Sequence, residues 1–200
     1  MATTLIETIQ KNLGYPELCK VDPNTQAVKD TSEAHSSANL GQAAIPAVLI
    51  GLYKYGNTDT GAEDILRGNM STNWLDLFFT DTKSEVISKV ASYAGGEESN
   101  ISQKMEEIAE EAIRVIHENT PEKATFSDVK TYVAQQRSSI LVYLPAELQI
   151  SNVINDNTLD DRTNKMEGPI SNSMHFIEKL FSGSTTEKNE TIEENKKDLS

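Results

Sequence analysis

Two apolar segments of this chain open on the same signal. Asn39-Leu40-Gly41-Gln42 begins one of them, and Asn100-Ile101-Ser102-Gln103 begins the other. The first closes in Gly56-Asn57-Thr58 and the second in Glu118-Asn119-Thr120, so their lengths nearly match. An Asn side chain accepts from the orphan amides of a helix's first turn, and a Gln three residues later can reach back to the cap. The pairing predicts an all-α fold: a compact multihelical single domain with an internal helical pseudo-repeat. Nothing between the two starts reads as a nucleophile motif, a metal cluster or a phosphate-binding loop.

Further helix signals flank the pair. Thr4-x-x-Glu7 precedes Leu5, Ile6, Ile9 and Leu13 at helical spacing, and Gly14-Tyr15-Pro16 stops that helix. Residues 20–37 are polar, with Asp22-Pro23-Asn24 as a turn. Pro46 falls inside the first apolar segment, where a missing amide and a ring clash should kink the helix or start a second one. Short helices are expected over 61–67 and 73–79. Thr82-x-x-Glu85 opens another, with Val86, Ile87, Val90 and Tyr93 on one face and Gly95-Gly96 as its stop. Ile101, Met105, Ile108, Ala112, Val115 and Ile116 then repeat at close to 3.6 residues. Thr125-x-x-Asp128 starts a helix expected to run through Ile140 until Leu144-Pro145 breaks it, with one more turn over 146–148. Residues 140–143 have strand character and no second strand to pair with.

The charge balance removes whole classes of partner. A formal net charge of -13 repels nucleic-acid phosphates and anionic lipid, and no run of Lys and Arg overrides it locally. Nucleic acid is therefore not expected as a partner. The apolar share of 37% falls below that of an ordinary domain, which fits a segment that never packs. The expected boundaries are a helical domain over 1–181 and a disordered acidic tail over 182–200, whose composition cannot offset its ordering entropy. A loop over 152–169 and a last amphipathic helix over 170–181, which could serve self-association, precede that tail. The lone Cys19 fits a reducing compartment. The N-terminus has neither a basic n-region nor an apolar h-region. The longest apolar run, about residues 43–52, is too short to cross a bilayer. These features predict a cytoplasmic protein without membrane insertion.

Ile45-Pro46-Ala47-Val48-Leu49-Ile50-Gly51-Leu52, after a Ser-Ala-Asn-Leu lead-in, resembles a known motif, as does the stretch from Gln136-Arg137 to Leu144-Pro145-Ala146-Glu147-Leu148. Their order over most of residues 1–150 is similar to the bacterial domain-of-unknown-function family typified by YidB. In that family a second copy of the Pro-containing turn commonly follows, where this chain has Glu106-Glu107-Ile108-Ala109. The resemblance implies a compact helical fold and brings no catalytic or ligand-binding residues with it.

Candidate chemistry is sparse. His35, His117 and His175 have no second His or Cys at ligand spacing, so no metal site is expected. His117 sits in a helix's last turn, where an imidazolium suits the dipole. Residues 155–161 offer oxygen donors for calcium but lack the Gly, the terminal Glu and the alternation of an EF-hand loop. Cys19 has no His near it in sequence, and no G-x-S-x-G occurs. No catalytic residue and no cofactor is expected. Trp74, Leu77, Phe78 and Phe79 form the densest aromatic cluster, read as core, with an exposed anchor for another protein as the alternative. Pro46, Trp74 and Pro145 are taken as structural. Glu106, Glu107, Glu110 and Glu111, near Glu97 and Glu98, are either a solvated helix face or a docking face for a basic protein partner, with Lys104 and Arg114 offsetting their repulsion. The expected function is a non-enzymatic interaction or scaffold module. The alternative is an enzyme or small-ligand binder with a pocket between the two halves, and a calcium-responsive loop is a third.

Overall fold

A computed structural model describes residues 4–21, 36–68, 72–121 and 123–154, all within the unit spanning Met1–Arg162. The helix expected over 170–181, the calcium-type loop, the acidic tail, His35, His175 and the turn at Asp22-Pro23-Asn24 lie outside the described residues.

Helix α2 (Ser36–Gly56) is central. It is apolar on every side over its middle, and residues 41–52 are buried without a break. A helix that is hydrophobic all round must be enclosed by other elements. Here α1 (Leu5–Asn12), α3 (Asp59–Arg67), α4 (Trp74–Phe79), α5 (Lys83–Ala94), α6 (Glu98–Asn119), α7 (Phe126–Gln135) and α8 (Arg137–Leu141) all pack on it. Pro46 neither ends this helix nor begins another, because α2 runs through it unbroken. The proline removes one backbone bond at this turn. Burying Ile45, Val48, Leu49 and Leu52, each 1% exposed or less, outweighs that loss at ~1.5–3 kcal/mol per side chain.

The shared start signal of α2 and α6 is not used as a cap in either helix. Asn39 lies a turn inside α2, and α6 begins at Glu98 with Glu97 in the cap position, leaving Asn100 inside the helix. The two helices have 21 and 22 residues and end where expected, but their surroundings differ. Whereas α2 is enclosed, α6 is amphipathic and buries Ile101, Met105, Ile108, Ala112, Val115 and Ile116 along one stripe.

Most other starts follow their local signals. Thr4 and Glu7 form a reciprocal capping box on α1. In α3 the Gly61 amide donates to Thr58 Oγ1 at 2.9 Å, and in α4 the Asp76 amide donates to Asn73 Oδ1 at 3.3 Å. The 3-10 turn Thr80–Thr82 leads into α5, where Thr82 turns its hydroxyl back to the Phe79 carbonyl at 2.7 Å instead of capping forward. Helix α5 ends at Gly95 in the left-handed conformation. The helix expected from Thr125 to Ile140 is two helices. It breaks at Gln136, whose Oε1 accepts from the Leu5 amide of α1 at 3.3 Å. Ile140 and Leu141 are helical, not extended, and among the described residues strand-like behaviour is confined to the Val21 amide donating to the Val142 carbonyl at 2.8 Å. Pro145, extended at ψ 134, breaks the chain before the 3-10 turn Ala146–Leu148 and α9 (Ile150–Val153). No strand occurs among the described residues.

Candidate docking face

The face of α6 opposite its apolar stripe carries the four glutamates that the sequence groups together. Tertiary contacts divide them. Glu106 is half-buried, and its carboxylate accepts from the Trp74 amide at 2.6 Å and the Leu75 amide at 3.2 Å. These are first-turn amides of α4, which no intrahelical carbonyl can satisfy. Glu106 thus acts as a cap supplied from another helix. Burial pushes its carboxyl above the usual carboxylate range, while the two amides and the field of Lys83 oppose that rise.

Glu111 is also engaged. Its Oε1 accepts from Asn12 Nδ2 of α1 at 2.7 Å and from Arg114 at 2.5 Å, and its side chain is 12% exposed. The Arg114 guanidinium holds its carboxyl below the ordinary value. Arg114 pairs onward with Glu118 one turn along. Glu110 is exposed, and Glu107 is half-buried, with a side chain 39% exposed that accepts from Lys104 Nζ at 2.6 Å and, at 3.5 Å, from Gln103, and that lies near Tyr15. Lys104 and Arg114 offset Glu107 and Glu111 at a spacing of three, and the spacing of four joins Arg114 to Glu118, outside the group.

Around Glu107 and Glu110 the charge is one-sided. From Asp76 to Glu118 the chain has ten carboxylates against four Lys and Arg side chains. Two of those cations are within salt-bridge distance of α6 glutamates, and Lys83 reaches Asp76 at 2.7 Å. Glu97 and Glu98 are exposed at the N-terminus of α6, where the dipole favours negative charge.

The other singled-out residues are used inside the fold. Trp74 is 1% exposed, its ring lies 5.9 Å from that of Phe78, and Leu75, Phe78 and Phe79 are buried with it. The Trp74 indole Nε1 is buried without a hydrogen-bond partner among the described residues. His117 Nε2 lies 2.5 Å from the Ile65 carbonyl in the last turn of α3, so its ring ties α6 to the end of a neighbouring helix. Cys19 is half-buried. Among the described residues no group of three or more His, Cys, Asp or Glu is placed to hold a metal ion, and no helix is long and apolar enough to cross a membrane.

Gln42, expected to reach back to a helix cap, is instead a buried structural tie. Gln42, 6% exposed, is the buried polar side chain of the described core. Its Oε1 accepts from the Cys19 amide at 2.8 Å, and its Nε2 donates to the carbonyls of Cys19 at 3.0 Å and Tyr143 at 2.7 Å. It binds the segment after α1 and the segment after α8 to the central helix. The signal that could have found it is a lone amide at the edge of a long apolar run, one turn before Pro46.

The chain matches no protein-family model, no curated protein and no solved structure.

Proposed function

We propose that this protein is a non-enzymatic interaction module that docks a basic protein partner on the outer face of α6. The observation that carries the reading is the exposed Glu110 beside the partly exposed Glu107, set within a stretch of ten carboxylates and four cations. Such a field attracts a cationic surface and repels phosphate-rich partners. Glu106 and Glu111 contribute to the field but not to a free surface, since α4 and α1 already hold them. Kinship with the YidB-like family stays part of this proposal, supported by the Pro46 and Pro145 motifs, and it adds no activity.

The test is capture of partners by the full chain from its native cell extract, compared with the double variant Glu107→Gln/Glu110→Gln. A stoichiometric partner with a basic surface should be recovered by the parent chain and lost by the variant, with an unchanged thermal melt in both. A partner retained by the variant moves the docking surface elsewhere. Absence of any partner at low salt, where surface electrostatics are least screened, removes the reading.

A further inference from the structure

Two unfavourable features converge on α4, a helix of six residues. At its C-terminal boundary Thr80 has φ 44 and ψ -117. That is the geometry of the first central residue of a type II′ turn, a position suited to glycine, and a β-branched residue there is strained. At its N-terminal end the buried Trp74 indole N–H meets no acceptor among the described residues. Against these stands Glu106, whose carboxylate caps the same turn through the Trp74 and Leu75 amides. A six-residue helix has too few turns to persist by itself. What keeps α4 closed is that cap together with the burial of Trp74, Leu75, Phe78 and Phe79, with the Phe79 ring 2.7 Å from where a Cβ on Gly51 of α2 would sit.

Both features are relieved by one movement. If α4 lifts from α6, Thr80 relaxes and the indole N–H meets water, at the cost of the two bonds to Glu106. We propose that α4 is a latch: it opens locally about Thr80 while the remaining helices stay folded, and opening presents Trp74 and Phe78 to solvent. Helix α6 shares none of these features along its buried stripe, so it is the internal reference for the movement. The inference does not depend on the docking reading, because it concerns only the chain's own packing.

Native-state hydrogen exchange on the full chain tests it, with acrylamide quenching of the single tryptophan as a second readout. The Leu75 amide, held by Glu106, and the Thr80 amide, held by the Asp76 carbonyl, should exchange at least ~100-fold faster than those of Ile108 and Ala109 in α6. Their exchange should also depend on denaturant less steeply than that of α6, because opening exposes only the surface that α4 buries. Thr80→Gly, which admits the observed backbone without strain, should slow α4 exchange about tenfold and lower the quenching of Trp74. Two results overturn the latch. One is α4 amides exchanging as slowly as those of α6 and with the same denaturant dependence. The other is fast α4 exchange that Thr80→Gly leaves unchanged, since the strain would then not set the opening.

Discussion

Replacing Gln42 removes three hydrogen bonds that join three separated parts of the chain. The side chain is 6% exposed, so water cannot take over its partners without entering the core. Each bond contributes ~1 kcal/mol net, and every amide or carbonyl left buried and unpaired adds a desolvation cost of similar size. Gln42→Leu, which keeps most of the volume, is therefore expected to lose about 3 kcal/mol, a large fraction of a stability of ~5–15 kcal/mol. Gln42→Glu separates the donor and acceptor roles. Its carboxylate can still accept from the Cys19 amide but can no longer donate to the Cys19 and Tyr143 carbonyls, and it faces both with a negative charge. Burial and those carbonyls raise the folded pKa of the new acid above its unfolded value of about 4.3. The folded state then binds more protons, so the variant should be least impaired near the unfolded pKa and lose further stability as pH rises through the folded pKa. Urea unfolding followed by far-UV circular dichroism, at pH about 5 and about 7, measures both effects. A Gln42→Leu loss of less than ~0.5 kcal/mol, or a Gln42→Glu deficit that does not grow with pH, would refute the assignment of Gln42 as the tie.

Two further outcomes follow from local geometry. Gly61→Ala would place a Cβ 2.0 Å from the Tyr55 carbonyl oxygen, a backbone atom that cannot step aside, so thermal melting should fall by an amount equivalent to ~2 kcal/mol or more; an unchanged melt would mean that α3 is free to shift from α2. Glu7 and Asp128 are both held below their ordinary pKa values, chiefly by the backbone amides of Thr4 and Thr125 that they cap. Their contribution is complete above the unfolded values of 4.5 and 3.8 and is lost as pH falls through the lower folded values, so acid titration by circular dichroism should show the parent chain losing helix over a pH range where Glu7→Gln/Asp128→Asn changes less.

The parts of the fold legible in the sequence are those whose partners lie within a few residues. The box of Thr4 with Glu7, the reach of Asp128 to Thr125 and the stop at Gly95 each close over three or four positions, so a short window contains the whole interaction. The same residue types mislead where the partner is remote. Asn39-x-x-Gln42 has the spacing of a cap, yet Gln42 bonds to groups 23 and 101 positions away. Glu106 looks like one carboxylate of a solvated face, while its two donors lie 32 and 31 positions earlier. The helix expected through Ile140 breaks at Gln136, whose Oε1 reaches an amide 131 positions away. Periodicity identified the buried stripe of α6, but it could not say which outward carboxylates another helix would claim.

These remote ties share a logic that bears on the docking face. The short elements cannot satisfy their own ends, because a helix of six or nine residues leaves most of its terminal amides and carbonyls without internal partners. Side chains of the two long helices supply what is missing. From α2, Gln42 serves the Cys19 segment and Lys54 Nζ donates to the Ile154 carbonyl just past α9 at 2.5 Å. From α6, Glu106 serves α4 and His117 serves the end of α3. Polar side chains engaged this way cannot be given to a partner without loosening the element they hold. A surface for docking must therefore be drawn from what the internal ties leave over, and on α6 that remainder centres on the exposed Glu110, with the partly exposed Glu107 and its partner Lys104 beside it.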